Sequence, residues 1–237
     1  MNNNNYYVQW HHLMNRFYIG TMGGGMDQAI SVHGIRGFAS HIEFNPLKAT
    51  PVQLPTGGVF VISNSFYQAP KAVTAATGYN LRVVEGRLGA KLIAKAHNLP
   101  NFLEYTSLFE LQKALGNKSL KEMQEVARAA LHSEPYTTAE LEGLLGVKME
   151  QETLFADRPA AALVLEKNDI FKCLDRVLHV YGEAERVLSF RAVCESEESM
   201  ESKLEKVGML MSQSHESCDK LYECSCEKLN ELVSLAM

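Results

Sequence analysis

From Tyr79 onward the apolar residues of this chain fall at helical intervals, segment after segment, and that period limits the fold more than any other feature of the sequence. Leu81, Val84, Leu88 and Leu92 form one stripe, with Arg82, Glu85, Arg87 and Lys91 largely opposite them. This is the pattern of an amphipathic helix whose charged side meets water. Segments near 107–115, 119–132, 137–145, 168–196 and 199–218 repeat the period, and Pro100, Gly116, Pro135, Gly146 and Pro159 break it. Proline lacks the helical donor and glycine favours helix ends, so these positions predict the stops between helices. The acidic stretch from Glu195 to Glu201 reads as a solvated junction between two of them.

Before Tyr79 the period differs. Phe38 to Phe44 alternates as a half-buried strand does, Pro46 and Pro51 interrupt, and Gly57-Gly58 opens the apolar run Val59-Phe60-Val61-Ile62. A continuous apolar run of that length predicts a buried strand. Two strands around turn residues predict a hairpin or a sheet edge. The expected class is α+β, a short N-terminal mixed sheet followed by a mainly helical portion. Residues 1–16 are polar and rich in Asn, with little apolar surface to offset the entropy of ordering, and are expected to be disordered.

Composition narrows the partners. With 46% hydrophobic residues, 22% charged residues and a net charge of -5, the chain has an ordinary globular balance and no basic footprint for nucleic acid. No stretch approaches the apolar length of a membrane span, and the N-terminus has no signal-peptide core, so a cytoplasmic location is expected. The five cysteines, Cys173, Cys194, Cys218, Cys224 and Cys226, are odd in number and suit reduced thiols. Cys218, Cys224 and Cys226 with His215 upstream also suggest zinc, but no second paired knuckle stands at a usual spacing. The expected metal set is therefore none.

The most chemical segment is Gly20-Thr21-Met22-Gly23-Gly24-Gly25-Met26-Asp27-Gln28. Successive glycines offer no Cβ to block a ligand and open backbone angles closed to other residues. A helix starting near Met26 would add free N–H groups that favour an anion. Two readings follow: a tight turn capping a helix, or a site that delivers the Asp27 carboxylate onto a small polar ligand.

That segment, led by Phe17-Tyr18-Ile19, is joined by Ile42 to Thr50, Val59 to Ser65, Asn80 to Glu85, Leu131 to Tyr136 and Met211 to Cys226. In order and spacing these segments resemble galactokinase-type sugar kinases of the GHMP superfamily, and within it the N-acetylgalactosamine kinase branch. The resemblance covers nearly the whole chain from Arg16. It implies a partial GHMP-kinase fold, with 17–98 as the remainder of the N-terminal sugar- and nucleotide-binding domain and 99–237 as an incomplete helical part of the C-terminal domain. Three family motifs have no counterpart here: the N-terminal sugar-gripping signature, the Gly/Ser-rich phosphate loop and the last glycine-rich motif. A chain of 237 residues is then about half of such an enzyme, expected to be a truncated form with a missing N-terminal half as a possible partner.

The resemblance assigns Asp27 the carboxylate that orients or deprotonates the C1 hydroxyl of galactose or N-acetylgalactosamine as it attacks the γ-phosphate of ATP. It brings Gly24 and Gly25 close to the sugar ring, and implies ATP and Mg²⁺. Tyr79 stands where the family places a sugar-contacting tyrosine, and equally reads as a packing residue with a wet tip. Lys71 stands where this branch has an Asn-Lys pair beside the nucleotide, but Pro70 occupies the Asn position. Met22 replaces a glutamate of the branch. His215 with Ser214 and Ser217 lacks an orienting acid and reads as structural. The implied function is a sugar-1-kinase, inactive alone without the phosphate loop. The alternatives are a non-catalytic sugar-binding or regulatory relative, and a fragment with no function of its own.

Overall fold

The computed structural model describes residues 24–44, 46–59 and 61–237, with the side chains of Lys71 and Ala72 left aside. The polar N-terminus 1–16, Thr21, Met22 and Gly23 of the glycine run, and Phe60 lie outside the described residues. The chain forms two compact units that are discontinuous in sequence: residues 1–68, 186–215 and 227–237 in one, and 69–185 with 216–226 in the other.

The first unit starts with helix α1 (Met26–His33) and the strands β1 (Ala39–Phe44) and β2 (Leu47–Val52), which pair antiparallel with Ala39 opposite Val52 and Phe44 opposite Leu47. α1 packs on both strands and buries Ala29. A hairpin is present but not the expected one: the first strand pairs with 47–52 rather than with 59–62, so the ribbon closes over Pro46 and runs through Pro51, which was expected to interrupt it. Each strand of a two-stranded ribbon is an edge, where a missing N–H costs no ladder bond. Of the strand expected at 59–62, the described residues Val59, Val61 and Ile62 have no regular secondary structure and are 86%, 82% and 96% exposed. Later in the chain this unit takes the end of α9 (Cys173–Glu195), most of α10 (Met200–Lys220) and α11 (Glu227–Ala236). The acidic stretch is the junction between α9 and α10, where Glu198 accepts from Ser202 and Lys206 at 2.5–2.6 Å.

The second unit is organised around helix α3 (Tyr79–Ala96), which follows the short α2 (Lys71–Thr74). Packed against α3 are a 3₁₀ turn (Phe102–Glu104), α4 (Leu108–Ala114), α5 (Leu120–Ala130), α6 (Thr138–Leu145) and α8 (Ala161–Lys167). α7 (Gln151–Leu154) packs on α8, and two-residue strands β3 (Tyr136–Thr137) and β4 (Ile170–Phe171) pair antiparallel. The helix starts have local causes. Ser107 with Glu110 and Ser119 with Glu122 form capping boxes on α4 and α5, each satisfying two otherwise unpaired donors.

The amphipathic reading of α3 needs correction. Its apolar stripe is buried as expected, but Glu85, Arg87 and Lys91 are buried too, at 1%, 9% and 1% exposure. A helix surrounded by others has no solvated side, so each charge needs an internal partner. Arg87 forks onto Asp157 at 2.7 and 3.1 Å. Lys91 donates to the carbonyls of Leu103 and Tyr105. Glu85 accepts from the backbone N–H of Lys172 at 2.8 Å and from Arg176 Nε at 2.6 Å. Two helices come close at Gly89, where a Cβ would stand 2.5 Å from Val177 Cγ2 on α9.

Two measurements check this arrangement. Glu85→Ala removes one of the two carboxylates that hold the buried Arg176 charge and should lower unfolding free energy by about 3 kcal/mol in urea titrations, while the double change Glu85→Leu with Arg176→Met should cost less than the single one. Burial, and next the charge of Arg87, depress the Lys91 ammonium to about 8 from its ordinary 10.5. The folded state therefore binds fewer protons than the unfolded chain between those values, so stability should rise as pH goes from 8 toward 10.5. Lys91→Met should flatten that rise.

Candidate functional site

Asp27 is placed by its own backbone. Gly25 precedes α1 in the left-handed conformation, φ 90° and ψ 9°, which a side-chain-bearing residue adopts only with strain. This turn starts the helix at Met26, where the sequence suggested it, and puts Asp27 second in the first turn. A carboxylate there is favoured by the positive end of the helix dipole. The first turn is closed by Ala29 N–H donating to Gly25 O at 3.0 Å, and Ser31 Oγ donates to the Asp27 carbonyl at 2.7 Å. Asp27 itself is exposed, Gly24 is exposed with nothing within 4 Å of a Cβ built on it, and Gly25 is buried. The geometry is open backbone beside an accessible carboxylate.

Tyr79 belongs to the other unit. It opens α3 and is 40% exposed, with its ring near Tyr222. Burial, then the nearby Tyr79 and Cys224, push the Tyr222 phenol up to about 12. Tyr222 in turn stacks on His179 with ring centroids 4.2 Å apart, and His179 Nδ1 meets Ser217 Oγ at 2.9 Å. The segment carrying Tyr222 is tied down by cations. Arg82 Nε donates to Tyr222 O at 2.7 Å, Lys172 Nζ to Glu223 at 2.6 Å, and Arg176 to Leu221 O and the Glu223 carboxylate. Burial works against the Arg176 charge, but Glu85 and Glu223 outweigh it and hold its guanidinium above the ordinary value. Hydrogen bonds from Lys172 and Arg176 likewise keep Glu223 below the usual carboxylate range although burial pushes it up.

This cluster was missed in the sequence. Arg82 was assigned to a solvated side, and the only available signal was Arg176 at a position inside an otherwise apolar helical stripe.

Lys71 is the first residue of α2, and its side chain lies outside the description. Pro70 caps that helix, its carbonyl accepting from Val73 and Thr74 at 3.0 Å. An open cavity of about 380 Å³ in the same unit is lined by Pro100, Asn101, Glu104, Tyr105, Thr106 and Glu110. Cys218 ends within α10, whereas Cys224 and Cys226 sit in the connector to α11. Among the described residues no group of three or more His, Cys, Asp or Glu side chains is arranged to hold a metal ion. Nor is any helix among them long and apolar enough to cross a membrane.

No family model matches the chain. A galactokinase of Dictyostelium discoideum is 36% identical over 236 residues, covering 92% of this chain and 46% of the relative. Galactokinases of Candida parapsilosis and Saccharomyces cerevisiae are 32% and 31% identical, over 95% and 93% of this chain and 48% and 47% of their own lengths. The chain thus spans about half the length of the curated relatives it matches.

The Asp27 turn can be tested without any ligand. Gly25→Ala should cost about 1–2 kcal/mol, because the left-handed angle is retained under strain or lost. Amide exchange should quicken in residues 26–33 while the second unit is unaffected.

Proposed function

The chain is a galactokinase homologue over more than nine-tenths of its own length, and on that footing we propose that it supplies part of a sugar-1-kinase that moves the γ-phosphate of ATP to the C1 hydroxyl of galactose or N-acetylgalactosamine. The observation carrying this reading is the Asp27 turn: an accessible carboxylate at the start of a helix, entered through a left-handed glycine, inside the matched sequence. Phosphoryl transfer needs positioning and charge stabilisation more than covalent help from the protein. The Asp27 carboxylate accepts the hydrogen bond of the C1 hydroxyl, orients its oxygen and takes its proton as the new O–P bond forms and the bond from the γ-phosphorus to the bridging oxygen breaks, ADP leaving with that oxygen. Gly24 leaves the main chain beside Asp27 open to the sugar and Gly25 sets the turn, while Tyr79 and Lys71, to which the resemblance gives the sugar and nucleotide contacts, belong to the other unit.

Mg²⁺ belongs to the chemistry of the triphosphate. The described residues offer no cluster fitting it, and no step here depends on a protein-held ion. In this reading 17–98 is the rest of a GHMP N-terminal domain, 99–237 the helical part of the C-terminal one, and the protein works in the cytosol. Since the groups that would hold the triphosphate have no counterpart in this sequence, the chain by itself is inactive. A non-catalytic sugar-binding relative is the second reading. Pro70 favours it, because a proline capping α2 offers no side-chain amide to pair with Lys71 at the nucleotide.

Calorimetric titration of the pure chain with galactose and with N-acetylgalactosamine, each with and without a Mg-ATP analogue, separates the readings. Sugar heat that disappears in Asp27→Ala is expected if the sugar half-site is intact; heat unchanged by the substitution removes Asp27 from the site. ATP-dependent phosphorylation of either sugar by the pure chain would overturn the inactivity. In a complemented, active complex Asp27→Asn should lower kcat by about 10²–10⁴-fold.

A further inference from the structure

The end of α10 and the connector after it carry two thiols that the kinase reading leaves unused. Cys218 is half-buried in the last turn of α10, and Cys224 is exposed just beyond the end of that helix. The chain folds back there. Leu221 and Tyr222 N–H both donate to the Ser217 carbonyl at 3.0 Å, and Cys224 N–H donates to the Cys218 carbonyl at 2.9 Å. Backbone partners joined by such a bond stand about 5–6 Å apart at Cα, within the roughly 4.4–6.8 Å that a disulfide spans. Glu223 completes the turn at φ 51°, in the left-handed region that a glutamate adopts only under strain. Cys173 and Cys194 differ: both are buried, and desolvation pushes their thiols up, so neither offers a ready thiolate.

We propose that Cys218 and Cys224 form a reversible redox clasp, closed by a low-molecular-weight disulfide, that locks the turn holding the Arg176 charge. The Cys224 thiolate attacks one sulfur of the small disulfide, forming a mixed disulfide and expelling one thiolate. The Cys218 thiolate then attacks the Cys224 sulfur and expels the second. The two protein thiols lose two electrons and two protons, and the small disulfide takes up both and leaves as two thiols. Inside the bridge lie the Leu221 carbonyl and Glu223, both on Arg176, and Tyr222, held by Arg82 and stacked on His179. Closing the loop removes open conformations in which those contacts are lost. Cys226 is the competing partner for Cys224, but a bridge across a single intervening residue closes a small, strained ring.

Tryptic mapping after incubation with oxidised glutathione tests the clasp, because cleavage after Lys206, Lys220 and Lys228 puts Cys218 on one peptide and Cys224 with Cys226 on the next. The folded chain should yield these two peptides joined, in Cys226→Ser as well as in the natural sequence, and about tenfold more of them than of the internal bridge from Cys224 to Cys226. Unfolding in urea before oxidation should abolish that preference. In the bridged form amide exchange at Leu221, Tyr222 and Glu223 should slow about tenfold, and reduction with dithiothreitol should restore it. Cys218→Ser should remove the oxidant's effect on exchange. Peptides that stay separate, a joined pair that disappears in Cys226→Ser, a bridge that leaves exchange at 221–223 unchanged, or an effect that persists in Cys218→Ser each overturns the proposal.

Discussion

The buried guanidinium of Arg176 is the interaction on which the second unit depends. It is 1% exposed and spans from Glu85 on α3 to the Leu221 carbonyl and Glu223 in the segment that returns after α10. An isolated charge at that depth would be far costlier than the folded state could carry, so the two carboxylates and the carbonyl have to be present together. That requirement sets where the return segment lies. It also sets Tyr222, whose carbonyl is held by Arg82 and whose ring stacks on His179. Gly89 makes the same arrangement possible sterically, since α9 could not approach α3 at Val177 if a methyl group stood there.

The residues singled out as a site rest on different physics. Asp27 is held by local backbone: one glycine at positive φ, one helical turn and the dipole of α1. Tyr79 is held by tertiary contacts, heading a helix whose charged residues are all engaged inside the second unit. A change in the Arg176 network would therefore disturb the surroundings of Tyr79 while leaving the Asp27 turn intact.

The sequence by itself determined the local elements. The helical period and its breakers located α3, α4, α5, α6, α9 and α10, and the glycine run located the start of α1, because turn angles and side-chain spacing act over a few residues. The α+β class and the β1 strand were legible for the same reason. Only the tertiary structure decided which charges are buried. Arg82, Glu85 and Lys91 follow the spacing of a solvated side, and they went inward because other helices pack around α3: Arg82 and Glu85 find partners more than eighty positions away, and Lys91 finds the carbonyls of Leu103 and Tyr105. It likewise decided that Pro51 sits in a strand and that Val59, Val61 and Ile62 do not, since a strand exists only when another lies alongside to satisfy its backbone, and no local pattern specifies that neighbour.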